Sequence, residues 1–325
     1  MKAIVCSKYG SPDVLEFKDV EKPTPKDTEV LVKVNAASLN AADFEILRGA
    51  WTARLVGPLK PRNKIPGSDM AGKVEEIGRN VSNFQPGDEV FGDLFMCGFG
   101  AFAEYVCVPE KVLEKKPDCM TFEEIVTYPQ AGLIALQGLC GKRKINPGQK
   151  VLINGAGGGM GTFAVQIAKY FGAEVTGVDS RQKLDMLRSI GCDHVIDYTK
   201  EDYTKSGKCY DLILDTVAQH SIFTYKATLS PNGMFIVVGG SRFTIFQVLI
   251  LGPLISLTSG KKLGMNPWKT NKNKDMAFLQ ELFEAGKVKP VIDRRYPLCE
   301  VPKALKYLED GKAKGKLIIT VEQKK

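Results

Sequence analysis

A chain of 325 residues, 44% hydrophobic and 25% charged, has an ordinary globular composition and is long enough for two domains with sizeable cores. Its net charge of +8 is compatible with an anionic ligand, a phosphorylated cofactor among them, or with lysines scattered over a solvated surface. No dense basic run with interleaved aromatics points to nucleic acid, and the opening "MKAIVCSKYG" lacks the long apolar core of a secretory leader.

The first third reads as strands. "KAIVCS", "EVLVKVNAASLN", "AGKVEEIG", "DEVFGD" and "FAEYVCVP" are short runs rich in β-branched residues. Pro and Gly clusters such as "SPDV", "EKPTPKD" and "QPGDE" punctuate them, which predicts a barrel-like β domain. From Thr121 onward the pattern changes. Helical segments alternate with the strands "VLIN", "EVTGVD", "HVIDY", "YDLILDTV" and "GMFIVVGG", the signature of a doubly wound parallel sheet.

The stretch "VLINGAGGGMGTFAVQIAKYFGAEVTGVD" runs from Val151 to Asp179. A buried strand, a glycine turn, an apolar-faced helix and a second strand are the context that a dinucleotide fingerprint requires. Its glycine pattern is Ala156, Gly157, Gly158, Gly159, Met160, Gly161, with Ala156 at the first glycine position. Gly158 falls where backbone approaches a pyrophosphate, Gly161 where helix and strand pack closely, and the helix N-terminus offers N–H groups to phosphate. Asp179 ends the second strand. A carboxylate there accepts the ribose hydroxyls of NAD and repels a 2′-phosphate, yet Ser180, Arg181 and Lys183 follow with a hydroxyl and two cations.

Beyond the fingerprint, "FTIFQVLILGPLISLT", Phe243 to Thr258, is too short to span a bilayer and is interrupted by Gly252-Pro253. It is expected to be a helix end and turn packed on a core or a subunit partner, with peripheral membrane contact as the alternative. "KDMAFLQELFEAGKV" is helical, and "VPKALKYLEDGKAKGKLIITV" reads as a helix followed by a strand that can return to the first domain. The expected division is 1–122 with 266–325, and 123–265 between them. The eight cysteines, Cys6, Cys97, Cys107, Cys119, Cys140, Cys192, Cys209 and Cys299, contain no CxxC pair. They read as free thiols of a reducing compartment, and a cytoplasmic location is expected.

Taken in order, the motifs resemble the medium-chain dehydrogenase/reductase superfamily, and within it the quinone oxidoreductase branch that works without zinc. "KAIVCSKYGSPDVLEF", "VLVKVNAASLNAADFEILRG", "IPGSDMAGKVEEIGRNVSNFQPGDEVFG", "GAFAEYVCVP", the glycine loop and "KGKLIITV" carry the resemblance over nearly the whole chain. It implies a GroES-like β domain with a Rossmann domain inserted before the chain returns, and a homodimer, for which the 243–258 region is a candidate interface. Zinc-dependent members carry a Cys before the residue matching Asp43 and a Gly-His-Glu triplet. Here Asn40 stands at the Cys position and Gly67-Ser68-Asp69 at the triplet; Asn and Ser are poor zinc ligands, so no metal is expected.

The resemblance also implies roles for individual residues. Lys183 and Tyr198 match positions that hold a 2′-phosphate, which tips the expectation to NADP(H) over NAD(H). Val217, Val238, Gly239 and Gly240 would lie along the dinucleotide, and Lys316 would reach the pyrophosphate. Ile134 replaces a common Thr, removing one hydroxyl contact. With no metal and no nucleophile constellation, the site is expected to position hydride transfer from the cofactor to an electron-poor acceptor, a quinone or an α,β-unsaturated carbonyl. Asn40 is the candidate hydrogen-bond donor to the acceptor oxygen and Asp43 a structural or orienting neighbour, with Trp51, Ile65, Leu94 and Phe95 as pocket walls. A nucleotide-binding redox sensor without turnover, and an alcohol dehydrogenase with unusual metal binding, are the alternatives.

Overall fold

The computed structural model describes residues 1–141, 144–266, 268–270 and 273–321. The chain divides into two compact units, Met1–Gln130 with Thr270–Met276 and Ile292–Lys325, and Ala131–Lys269 with Ala277–Val291.

In the first unit, β1 (Lys2–Cys6) and β2 (Leu15–Asp19) form an antiparallel hairpin. The long β3 (Glu29–Ser38) is followed by α1 (Ala41–Leu47), α2 (Trp51–Val56), β4 (Asp69–Ile77), β5 (Glu89–Asp93), β6 (Tyr105–Pro109) and β7 (Leu113–Lys115). β3 pairs antiparallel with β4 on one side. On the other, β6 covers its first half. Val30, Val32 and Val34 of β3 are fully buried with Met70, Val90 and Phe102 in one core. Burying each such side chain contributes about 1.5–3 kcal/mol, and this core fixes the end of β3, where the site begins. α3 (Phe122–Ile125) closes the stretch, with Thr121 capping it through the Glu124 N–H.

The second unit opens with α4 (Ala131–Cys140) and carries β8 (Lys150–Asn154), α5 (Gly159–Tyr170), β9 (Glu174–Asp179), α6 (Leu184–Ser189), β10 (His194–Asp197), β11 (Tyr210–Asp215), α7 (Ile222–Thr228), β12 (Leu229–Val237), α8 (Arg242–Thr258) and β13 (Lys262–Met265). The sheet order is β10-β9-β8-β11-β12-β13, parallel throughout. Strands buried on both faces account for the unbroken apolar runs in the sequence. The order reverses between β8 and β11, so the ends of those strands, Asn154 opposite Asp215, mark the switch point where such sheets bind ligands.

The chain then runs through α9 (Asn273–Glu284), β14 (Ile292–Pro297), α10 (Val301–Glu309) and β15 (Lys316–Thr320). β15 pairs antiparallel with the end of β3, Ile319 opposite Ala37, so the first unit is discontinuous.

Three expectations need correction. The first boundary falls at Gln130 rather than 122, because α3 stays with the first unit, where Glu123 pairs with Arg295. The segment after 266 does not belong wholly to the first unit. Ala277–Val291 stays with the second, where Gln166 exchanges hydrogen bonds with the Lys289 backbone and Phe278 stacks on Phe171. Last, Gly252-Pro253 does not end a helix: α8 continues through Pro253 to Thr258. Pro253 lacks one N–H, but Gly252 compensates in packing, since a Cβ there would lie 2.7 Å from the Leu263 carbonyl of β13.

Candidate functional site

The dinucleotide cradle forms where β8 gives way to α5. Gly155 makes the tight turn at φ +78°, and a Cβ there would run into the Thr216 hydroxyl. The turn-forming role expected at the Ala156 position therefore belongs to Gly155, while Ala156 is fully buried beneath it. Gly158 is the N-cap of α5. A Cβ on it would meet only the Gly155 carbonyl at 3.4 Å, so the space over its backbone is open to a ligand. At Gly161 a Cβ would lie 2.6 Å from Ala156 Cα, which explains why helix and strand pack so closely there. The N–H groups of Gly159, Met160 and Gly161 fall in the first turn of α5, where a helix leaves its donors without intrahelical partners and presents its positive dipole end. This donor set fits a pyrophosphate.

Asp179 is buried at the end of β9. Its carboxylate accepts from the Gly157 N–H at 2.8 Å and the Ser180 N–H at 2.7 Å, and it pairs with Lys183 at 3.2 Å. Lys183 is buried as well. The expectation that both Arg181 and Lys183 are available as cations is thereby corrected: the i,i+4 spacing lets Lys183 fold back on Asp179 and neutralise it. Arg181 is exposed. The Ser180 hydroxyl is buried with no hydrogen-bond partner among the described residues, and Tyr198 is 60% exposed. Asp197 lies opposite Asp179 across β9 and β10, which puts Tyr198 beside Ser180.

Along the carboxyl edge of the sheet, Asp215 is the organiser that sequence reasoning missed. One oxygen accepts from Asn154 Nδ2 at 3.0 Å and from the Val217 N–H at 2.9 Å, and the other from the Tyr225 hydroxyl at 2.9 Å. Burial holds its carboxyl above the usual range, with the Asn154 bond pulling the other way. Val217 is half exposed on this ledge. The Val238 N–H donates to the Asp215 carbonyl at 2.8 Å, and Ala218 N–H to the Gly239 carbonyl at 3.0 Å. A Cβ at Gly240, φ +146°, would run into the Ala218 carbonyl. The only sequence signal for Asp215 was an acid closing the strand "LILD".

The first unit contributes a buried polar cluster around Asn40, the N-cap of α1. Asn40 Nδ2 donates to Asp69 Oδ2 at 2.7 Å and to the Ser68 hydroxyl at 3.1 Å. Its Oδ1 accepts from Lys316 Nζ at 2.7 Å. The expectation that Asn40 donates to an acceptor oxygen is therefore corrected, because both amide hydrogens are committed inside the protein. Lys316 is also reassigned. It is 1% exposed, and besides Asn40 it donates to the Leu39 carbonyl at 3.0 Å and faces Asp69 at 3.5 Å. An ammonium so enclosed has no reach to a pyrophosphate; β15 pairs with the end of β3, and this places it among the acids.

Asp43 Oδ2 accepts from the Asn40 N–H at 2.8 Å, capping α1. Burial raises its carboxyl to about 7, and the Asp69 charge adds to that. Burial and the neighbouring Asp69 raise Asp93 to about 8; its Oδ1 accepts from the Phe95 N–H at 2.8 Å. Burial also raises Asp69, against the pull of Lys316 and Asn40, and lowers Lys316, against Asp69. Three buried carboxyls thus surround one ammonium, and burial together with their mutual repulsion favours the protonated forms of Asp43 and Asp93.

A cavity of about 530 Å³ opens beside this cluster, within the size range of small-molecule sites. Asp43 is part of its wall, with Ile46, Pro66, Phe95, Met96 and Phe99 supplying apolar surface and Tyr9 and Arg62 polar groups. Its thiols, Cys6 and Cys97, are raised by burial, which disfavours thiolate chemistry. Of the expected walls, Phe95 lines the cavity. Leu94 does not: it is fully buried in the core. Trp51 is exposed on α2 and Ile65 half-buried, and neither is among the lining residues.

Comparison with known proteins agrees with both units. Residues 26–118 match the alcohol dehydrogenase GroES-like domain family, and residues 190–319 the family described as zinc-binding dehydrogenase. A chloroplast envelope quinone oxidoreductase homolog of Arabidopsis thaliana is 33% identical over 98% of each chain. The chain belongs to the medium-chain dehydrogenase/reductase superfamily. It is an oxidoreductase of the quinone oxidoreductase branch. A 2-methylene-furan-3-one reductase of Solanum lycopersicum is 34% identical over 98% of this chain and 79% of its own. The quinone oxidoreductase from Coxiella burnetii has the same fold at a TM-score of 0.89, 28% identical, with 99% of each chain covered.

Proposed function

We propose that this oxidoreductase moves a hydride from NADPH to a quinone or an α,β-unsaturated carbonyl, without a catalytic zinc and in a reducing compartment such as the cytoplasm. When bound, the reduced nicotinamide supplies the hydride. The chain's residues supply position, charge and a proton. The first turn of α5 holds the pyrophosphate, and the ledge from Val217 to Ala218 with Val238, Gly239 and Gly240 supports the remainder of the dinucleotide. Lys183 neutralises Asp179, so the carboxylate no longer opposes a 2′-phosphate. Ser180, Arg181 and Tyr198 then offer it a hydroxyl, a cation and a phenol.

Asp43 carries the reading: a buried carboxyl in the wall of a mainly apolar cavity that keeps its proton up to about pH 7. Reducing a quinone or enone builds negative charge on oxygen, and a donor that titrates near the working pH is the efficient one. Asn40 is a positioning residue that locks Asp69 and Lys316 beneath Asp43. The positive charge among these acids belongs to Lys316, which supports chemistry that needs no Lewis acid. Relatives named for quinone and furanone reduction support the same acceptor class. The test is Asp43→Asn, which retains an oxygen to cap α1 but loses the acid proton. With an ortho-quinone or alkenal, kcat is expected to fall by about a hundredfold or more and to lose its titration near pH 7. Unchanged kcat and pH profile would exclude Asp43 as the donor.

A further inference from the structure

Phe99 stands in a backbone conformation that a bulky side chain rarely adopts. Its φ is +63°, between Gly98 at +108° and Gly100 at +113°. The two glycines take such values without penalty. A phenylalanine is strained there, and strain of this kind collects where a side chain has to be aimed. Among the described residues the other non-glycine at positive φ is Asn232, a residue type that tolerates it.

The core does not hold Phe99 in place. It is half-buried, as is Phe95, and among the described residues neither ring belongs to the apolar core of the unit. Both line the cavity that has Asp43 in its wall. Their centroids are 5.5 Å apart and their planes meet at 73°, an edge-to-face pair of the kind aromatic rings favour. The backbone of this loop is pinned. Asp93 accepts from the Phe95 N–H at 2.8 Å, and the Leu94 carbonyl accepts from the Cys97 N–H at 2.9 Å and the Phe99 N–H at 3.1 Å. The strained turn thus brings Phe99 back against Phe95, and both rings stay in the cavity wall.

We infer that Phe95 and Phe99 form a corner that selects acceptors whose conjugated system is a flat ring, a fused-ring quinone, over open-chain alkenals. A planar ring stacks on one phenylalanine while it meets the edge of the other, and an alkenal presents no ring face. A contact of this kind is worth roughly two- to tenfold in affinity beyond the area it buries. The inference rests on the reaction proposed above, and ring binding is read separately from turnover.

The test compares wild type with Phe99→Gly and Phe95→Leu, using NADPH with phenanthrenequinone and with hexenal. Glycine at 99 relieves the strain but removes the ring, and is expected to keep the melting temperature. Leucine at 95 keeps apolar bulk on an unstrained backbone. In both variants the preference for the quinone, as the ratio of the two kcat/KM values, is expected to fall about tenfold, most of it in the KM for the quinone. An equal loss for both acceptors, or no change in the ratio, would overturn the inference. So would a Phe99→Gly melting temperature lowered by more than about 5 °C, since the ring would then be holding the fold. Equilibrium dialysis of phenanthrenequinone without cofactor separates this inference from the reaction. If wild type reduces neither acceptor, the reaction fails, and weaker quinone binding by both variants still supports the corner, whereas equal binding overturns it.

Discussion

Asp93→Asn is the sharpest probe of the buried acid cluster. Asp93 is fully buried, and its carboxyl is held at about 8 against an ordinary 3.8. The folded chain therefore keeps a proton that the unfolded chain releases. Between those two values the native state binds more protons, so stability declines as pH rises. Each pH unit costs about 1.4 kcal/mol for one fully shifted group, about 6 kcal/mol across the interval. Asp69, Asp43 and Lys316 titrate together with Asp93 and divide this among them. Asparagine can still accept from the Phe95 N–H through its amide oxygen and stays neutral at every pH. The variant is expected to be close to wild type at pH 5 and more stable by about 2–3 kcal/mol at pH 9. Differential scanning calorimetry at pH 5, 7 and 9 reads this as a gap in melting temperature that opens with pH. A variant equally destabilised at all three values would refute the reasoning, because it would mean that Asp93 is ionised in the folded chain throughout.

Three further predictions address other links. Lys316→Met removes the ammonium while leaving Asp69 buried, and is expected to destabilise by about 3 kcal/mol or more; urea unfolding checks it. Arg181→Ala is expected to weaken NADPH binding about tenfold and NADH binding by less than twofold, if the guanidinium meets the 2′-phosphate as proposed; fluorescence titration with both cofactors separates them. Gly161→Ala drives a Cβ to 2.6 Å from Ala156 Cα. It is expected to cost about 1–3 kcal/mol and to reduce cofactor affinity, whereas Gly158→Ala should leave stability nearly unchanged; melting curves with and without NADPH compare the two.

The cradle was legible because its residues are close in sequence and each glycine answers a local requirement. The turn at Gly155 and the packing at Gly161 leave no room for a side chain. The parallel sheet was legible from apolar runs with turns between them. Asn40 and Lys316 were not, since the bond between them spans 276 positions and exists only because β15 returns beside β3. The resemblance implied a pyrophosphate ligand at Lys316, whereas the fold places it among three acids. The pairing of Lys183 with Asp179 was not legible for a different reason. Arg181 and Lys183 are both near in sequence, but only Lys183 sits one helical turn away, where the chain can fold its ammonium back. At α8, a Gly-Pro pair reads as a helix terminus, yet packing on β13 carries the helix through it.

The central claim is zinc-free hydride transfer to a conjugated acceptor. It is tested most directly by following NADPH oxidation at 340 nm with an ortho-quinone and an alkenal, before and after exhaustive dialysis against a strong chelator. The account predicts turnover with these acceptors that is undiminished by chelation and slower with NADH at equal concentration. Activity that appears only with simple alcohols or ketones, is abolished by chelation and returns with zinc would contradict it.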